Sequence, residues 1–413
     1  MARASVPGPK LADFEAARAI VGRVAQETPM ESSRILSKIL GSEVLLKCEN
    51  LQRTGSYKLR GAYNLIASLT PAERKKGVVA ASAGNHAQGV ALAAHEMGIK
   101  ATIFMPVGVA LPKLEATQGY GADVVLEGNI FNESLKAAQE FAKKTGAVFI
   151  PPFDDARVIA GQGTLGLEIL EDVPDVDTII VPIGGGGLIS GVAAAVKLRA
   201  AELGRKVRIV GVQAENAAAY PPSLKAGKAV KVEVRPTISD GIAVATPGKL
   251  NFPIIKSFVD EVVTVSDDST AKALVMLLER AKLVVEPAGA VSVAAILEGK
   301  VKKSGKTVAI LSGGNIDPML MQRIVAHGLA ASDRYLKLRI MLPDRPGQLA
   351  ATSQLVAQAN ANVVEVVHTR HGKFQINEAE LELHIETRGP THSKAVVKML
   401  RDAGYQVRQI DDI

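Results

Sequence analysis

The sequence predicts an α/β protein of two sub-domains followed by a smaller unit of mixed strands and helices, and three observations carry that prediction. Short β-branched runs alternate with longer alanine-rich helical stretches from about residue 43 to 315. The runs are almost continuously apolar, the pattern of parallel strands covered on both faces of a sheet. From Tyr335 onward the pattern changes to strand, helix, strand, strand, helix, strand.

In chain order, "SEVLLKCE" is a strand, and "GVVAASAGN" is a second that runs straight into the helical "HAQGVALAAHEMG". "ATIFMP" and "ADVVLEG" are further strands, "DTIIVPIGGGG" leads into the helix "LISGVAAAVKLRAA", and "VRIVGVQAE" and "TVAILSGGN" complete the set. The span is too long for one sheet of ordinary width, which predicts two sub-domains with a cleft between them and leaves open which strand joins which sheet. "YLKLRIMLP", "RPGQLAATSQLVAQAN", "ANVVEVVHTR", "NEAELELHIET", "THSKAVVKMLRDAG" and "YQVRQI" then read as the six elements of a ferredoxin-like unit. Residues 327 to 335 are the expected linker, with the boundary near Ser332, dividing the chain into 1–330 and 331–413.

With 413 residues and 47% hydrophobic content, the chain can build two or three packed domains. A net charge of +7 raises nucleic acid as a partner, but the basic residues are scattered among 42 acidic ones and aromatic content is only 4%. Neither a concentrated basic stripe nor a stacking platform is present. The single cysteine, Cys48, excludes an intramolecular disulfide and a cysteine-rich metal cluster and fits a reducing compartment. Within "VLLKCEN" it reads as a small strand-core residue rather than a reactive thiol. The opening "MARASVPGPKLADFEAA" lacks an apolar core of signal-peptide length, and no later segment approaches the roughly 20 apolar residues of a membrane span. The expectation is a soluble cytoplasmic protein with neither nucleic acid nor membrane as partner.

Three strand or turn ends and one helix start carry the chemistry. In "TGSYKLRGAYN", Leu59, Ala62, Tyr63, Ile66 and Leu69 fall on one helical face, with Ser56 as the natural N-cap and Lys58 in the first turn. The field at a helix start disfavours a neighbouring ammonium. Lys58 is therefore either a solvated basic turn residue or an amine kept ready to attack an aldehyde. Gly184, Gly185, Gly186 and Gly187 join a strand to a helix, where convergent backbone amides suit a phosphate; a tight turn without a ligand is the other reading. "SAGNHAQG" offers the amides of Ser82, Ala83, Gly84, Asn85 and His86 to a carboxylate, with Asn85 free to bond a neighbouring oxygen, or it is a plain helix cap. In "LSGGN", Ser312 ends a strand and could present a hydroxyl to a ring nitrogen. Glu286, in "VEPAGA", is placed either at the cleft or on the surface. "GQGTLG", residues 161 to 166, matches a dinucleotide fingerprint but follows "FDDARVIA", a poor strand, and is set aside.

Taken together, Ser56, Lys58, Arg60 and Gly61 in S-x-K-x-R-G, the glycine turn and the terminal S-G-G-N resemble the pyridoxal-phosphate enzymes of fold type II, the tryptophan synthase β-like group. The pattern is most similar to the serine/threonine dehydratases, and residues 336 to 413 with "DRPGQL" are similar to an ACT domain. The resemblance implies that Lys58 carries pyridoxal 5'-phosphate covalently and later serves as general base. It further implies that Gly184 to Gly187 and Leu188 hold the phosphate, Asn85 the 3′-oxygen and Ser312 the ring nitrogen, while Ser82, Ala83, Gly84, Asn85 and His86 take the substrate. Tyr57 packs near the ring or faces the core. A serine at the ring nitrogen gives a weaker electron sink than a carboxylate would, which suits elimination. The implied activity is that of a threonine ammonia-lyase making 2-oxobutanoate and ammonia, with side activity on serine. Alternatives are a serine racemase or serine dehydratase of the same fold, a non-catalytic amino-acid sensor, or a nicotinamide dehydrogenase resting on "GQGTLG". Ala83 stands where related racemases carry a serine, which disfavours racemisation. Gln213 and Ala219 stand where they carry metal-binding acids, so no metal is expected, with Glu215 the substitute ligand if one binds. In the ACT-like region, Gly347 and Asn362 of a facing copy would hold an effector, unless the domain only pairs subunits in a dimer or tetramer.

Overall fold

Apolar runs that the sequence leaves without a polar face must be covered on both sides, and the computed structural model places them so: Ala101–Met105 and Thr178–Pro182 are buried at every residue. The structure describes residues 8–303, 305–372 and 375–410. The chain falls into two compact units, one reaching to Asp317 and the other starting at Pro318. In the first unit, a six-stranded sheet has the order Met30–Ser32, Val44–Lys47, Thr307–Ile310, Thr178–Pro182, Arg208–Ala214, Glu261–Val265, parallel except at its first pair. A separate parallel sheet has the order Asp123–Leu126, Ala101–Met105, Val78–Ala81, Val148–Phe149. Each sheet has its own apolar core, one around Leu65, Ile66 and Ile103 and the other around Ile179, Ile189 and Val308. These are the two predicted sub-domains, and the structure supplies the strand assignment that the sequence left open.

The second unit pairs Asn362–Thr369, Glu378–Glu386, Tyr335–Pro343 and Gln406–Gln409 as an antiparallel sheet in that order, the ferredoxin-like arrangement. Alternation along Tyr335–Pro343 buries Leu336, Leu338, Ile340 and Leu342 on one face, against Val356, Val396 and Leu400 of the two helices. The linker expected at 327–335 needs correction. The helix Pro318–Ala330 occupies its first residues and belongs to the second unit, leaving only a short turn before Tyr335.

"GQGTLG" lies inside the helix Ala156–Asp172, in no strand-to-helix turn. Its glycines serve helix packing: a Cβ on Gly161 would come within 2.5 Å of the Arg60 carbonyl oxygen, so only glycine lets this helix meet the Lys58–Ala67 helix backbone to backbone. A nicotinamide fingerprint is therefore absent at this position for a reason of geometry.

What fixes the Lys58–Ala67 helix is a buried charge cluster. The Arg60 guanidinium, fully buried, donates from Nε and Nη2 to both oxygens of Glu49 at 2.7 and 2.8 Å and also pairs with Glu168 of the Ala156–Asp172 helix. Burial alone would raise the Glu49 carboxyl, but the adjoining Arg60 charge and its hydrogen bonds, with one from Thr28, hold it below the usual carboxylate range. Lys47, also buried, joins through Asp172 at 2.9 Å and Glu168 at 3.4 Å. Such a bidentate fork specifies geometry more than it adds net stability, and removing one partner leaves an uncompensated buried charge. Arg60→Met should lower the unfolding free energy of the first unit by about 3–5 kcal/mol, read as an earlier urea transition. Adding Glu49→Gln should recover part of that loss, and an unchanged transition in the single variant would show that the cluster does not hold the helix.

Candidate active site

The helix that carries Lys58 begins at Lys58 itself, with Tyr57 rather than Ser56 in the cap position. Ser56 is taken out of that role because its backbone forms a β-bridge with Gly313, and Tyr57 N–H donates to the Ser312 carbonyl at 3.2 Å. The segment is thereby stitched to the end of strand Thr307–Ile310 immediately before the helix starts. Ser56 is fully buried, and its hydroxyl finds no hydrogen-bond partner among the described residues. Lys58 Nζ donates to the Pro152 carbonyl at 3.0 Å and lies 5.3 Å from the centroid of the Tyr57 ring. No carboxylate pairs with it among the described residues. The Tyr57 ring packs on the core of the larger sheet, as the core-facing reading expects.

Phe153, next to the Pro152 carbonyl that Lys58 touches, forms the floor of the glycine turn. A Cβ on Gly185 would sit 2.4 Å from the Phe153 ring, and one on Gly186, whose φ is +107°, 2.2 Å from the Tyr220 hydroxyl. The Tyr220 hydroxyl donates to the Gly185 carbonyl at 2.9 Å, and burial pushes its pKa up, so it keeps its proton. The turn is filled from the protein side and admits no side chains there. Its amides then lead into the helix Gly187–Glu202, whose first N–H groups lack intrahelical acceptors, with Leu188 buried behind them. One short stretch, Pro152–Phe153, therefore brings a lysine amine and a helix start with open backbone amides to the same place.

Opposite them is the turn after strand Val78–Ala81. The Ser82 hydroxyl accepts from Gly84 N–H at 3.2 Å, while a Cβ on Gly84 would meet nothing within 4 Å, so this loop borders open space beside Ala83. Asn85 begins the helix Asn85–Glu96; its Nδ2 donates to Glu286 Oε1 at 2.7 Å, and its Oδ1 accepts from Asn315 Nδ2 at 2.8 Å. Glu286 is thus beside Asn85 and not on an outer face, one of the two places the sequence left open. Loss of water pushes its carboxyl up to about 7, opposed by the Asn85 hydrogen bond and reinforced by Asp240, with Lys113 and Lys58 pulling down. His86 is buried and bonds the Ile150 carbonyl at 2.8 Å, so its Nε2 carries the proton. Burial, helped by the Lys58 charge, depresses His86 to about 3, which makes its ring a neutral structural donor. Ser312 is buried at the end of strand Thr307–Ile310, where its carbonyl accepts from Tyr57 N–H.

Other candidates fall elsewhere. Gly347 and Asn362 belong to the second unit, at the start of the helix Gln348–Gln358 and of the edge strand Asn362–Thr369. The Gln213 amide is used internally, accepting from Tyr220 N–H at 2.9 Å, and Glu215 opens a short helical turn. Cys48 is buried and its thiol is pushed up to about 12 chiefly by loss of water, an inert core residue as its strand context predicts. Sequence reasoning missed Pro152, Phe153, Tyr220 and Asn315. Asn315 was within the quoted "LSGGN" and carried the only local signal.

An amine with no carboxylate partner among the described residues, an amide-lined helix start and a buried serine hydroxyl, brought together in one site, fit a cofactor that has an aldehyde, a phosphate and a ring nitrogen. The chain belongs to the pyridoxal-phosphate dependent enzymes, whose family model matches residues 22–313. Within that class it is 50% identical over 400 residues to an L-threonine ammonia-lyase of Thermotoga maritima, covering 96% of this chain and 98% of that one. Among solved structures, maize serine racemase matches with a TM-score of 0.73 and 37% identity over 76% of this chain and 96% of the other. A threonine deaminase isoform of Solanum lycopersicum matches with a TM-score of 0.72 and 37% identity over 79% and 99%. The fold is type II of this enzyme class, and pyridoxal phosphate is its cofactor.

A neutral buried His86 makes stability depend on pH. The unfolded chain takes up a proton near pH 6.5 while the folded one resists it down to about 3, so stability is full above that window and falls as pH drops through it. This one group contributes a slope of up to about 1.4 kcal/mol per pH unit. His86→Gln, which keeps a donor for Ile150 but cannot titrate, should flatten the dependence of the holoenzyme's denaturation midpoint between pH 6 and 4. A slope equal to that of the parent would remove His86 from the account.

Proposed function

We propose that the chain is an L-threonine ammonia-lyase, converting L-threonine to 2-oxobutanoate and ammonia, with L-serine as a second substrate. The observation that carries this reading is Ser312. Its segment is hydrogen-bonded to the one bearing Lys58, and its buried hydroxyl, not a carboxylate, is the group available to a ring nitrogen. Pyridoxal phosphate supplies an electron sink, and a neutral hydroxyl at its ring nitrogen leaves that sink weak, which favours loss of a β-substituent over prolonged carbanion chemistry.

The residues divide the work. With the cofactor bound, Lys58 Nζ would hold its aldehyde carbon, and as a free amine would accept the substrate's α-proton. The amides of Gly184 to Gly187 and Leu188 would bind the phosphate, and Asn85 would donate to the ring oxygen. Because His86 is neutral, the substrate carboxylate is held by amides of the loop Ser82 to His86 rather than by a cation. A methyl group in a pocket changes affinity by about 1–3 kcal/mol, so serine is accepted beside threonine. Racemisation is disfavoured because Ala83 carries no hydroxyl for the opposite face of the substrate. The ferredoxin-like unit is read as an ACT-like regulatory domain that binds a small-molecule effector near Gly347 and Asn362, and the protein as a cytoplasmic homo-oligomer. No helix among the described residues is long and apolar enough to cross a membrane.

Borohydride reduction of the purified holoenzyme, followed by peptide mass analysis, should place the cofactor on Lys58. Lys58→Ala should lose the visible absorption and at least about 10²–10⁴-fold in rate with threonine. A label on another peptide, or no oxo acid from either threonine or serine with the parent enzyme, overturns the assignment.

A further inference from the structure

A primary amide can present either its N–H or its C=O to a ligand, and Asn85 is held in one of those two states by a chain of neighbours. The chain starts at the Thr54 carbonyl, which can only accept. Asn315 Nδ2 donates to it at 2.7 Å, and the same nitrogen lies 2.8 Å from Asn85 Oδ1 and 3.2 Å from Gln88 Oε1. With its oxygen turned to Asn315, Asn85 must turn its nitrogen the other way, where Glu286 Oε1 receives one N–H at 2.7 Å. The second N–H of that nitrogen is left for the site. Backbone packing closes the arrangement: a Cβ on Gly313 would come within 2.5 Å of Glu286 Oε1 and 3.1 Å of Asn85 Nδ2.

We infer that Asn315 and Glu286 are positioning residues, forming a relay of fixed hydrogen-bond direction that makes Asn85 offer an N–H, never its carbonyl, to the negatively polarised ring oxygen of the cofactor. The inference rests on Asn85 as a cofactor contact in the function proposed above. An ionised Glu286 accepts only and enforces the direction, whereas a protonated one can also donate and tolerates a reversed amide. The charged groups facing it are Asp240 from the turn Asp240–Ile242, Lys113 from the helix Leu111–Gly119 and Lys58 from its own helix.

The test compares Asn315→Asp, Asn315→Ala and Glu286→Gln as holoenzymes. It measures cofactor dissociation, the visible band from pH 5.5 to 9, and kcat and KM for threonine. Aspartate preserves the shape of Asn315 but sets a carboxylate against the Thr54 carbonyl and Asn85 Oδ1, both acceptors. A packing role predicts that Asn315→Asp binds cofactor at least as well as Asn315→Ala. The relay predicts the reverse order, with Asn315→Asp weakened by about tenfold or more and kcat falling further than KM rises. Glu286→Gln still accepts from Asn85 and should retain cofactor, but a transition of the band near neutral pH, present in the parent, should vanish. Aspartate at 315 binding as tightly as the parent, or a band transition unchanged in Glu286→Gln, overturns the relay. A parent enzyme that holds no cofactor overturns instead the reading of the site on which the relay stands.

Discussion

The Arg60 guanidinium, fully buried between Glu49 and Glu168, is the constraint on which the site depends. Residues two apart on a helix point about 200° away from each other. Lys58 and Arg60 therefore cannot serve the same surface, and the motif that contains both is a device for facing two ways. Arg60 turns inward and locks the helix to the strand-end turn Glu49–Leu51 and to the helix Ala156–Asp172, which leaves Lys58 turned towards the Pro152 carbonyl. A lysine in place of Arg60 would be a single point charge where a planar fork meets two carboxylates.

Around that fixed helix, the remaining groups come from one repeated structural opportunity. The loop with Asn85 follows strand Val78–Ala81, the glycine turn follows Thr178–Pro182, and Ser312 follows Thr307–Ile310. All three leave the carboxyl ends of parallel strands, where open α/β sheets bind their ligands because loops and helix starts converge there. Two sheets contribute, and the lysine helix is bonded to the end of one while packing beside the helix that leaves the other. The geometry explains why an elimination can be run with few ionised side chains. His86 is kept neutral by burial, Ser312 is a hydroxyl, and the helix starts present backbone amides whose direction is set by the fold.

How much of this could be read in advance varies with the range of the interaction. The glycine turn, "SAGNH" and "SGGN" are local: each is a strand followed at once by residues without bulky side chains, and in the first two the spacing alone places backbone amides at a helix start. Cys48 as a core residue and the six elements from Tyr335 follow from periodicity over a few residues. Ser56 as a cap does not hold, because a partner 257 positions away, Gly313, claims its backbone first. "GQGTLG" is set aside as a fingerprint because a poor strand precedes it, and the closeness of the Arg60 carbonyl to Gly161 shows what a glycine does inside that helix.

The amino-acid order by itself determined the fold class, the strand ends that carry chemistry and the lysine that begins the helix, since all of these depend on side-chain size and on periodicities of two and 3.6 residues. Tertiary structure alone decided which face of that helix is buried, where Glu286 lies and which way the amide of Asn85 is turned. Those outcomes rest on contacts such as Asn85 with Glu286 and Arg60 with Glu168, whose partners are more than a hundred positions apart in the chain. Hydrogen-bond direction and charge pairing at such separation are set by distance in space, which no local pattern of residues encodes.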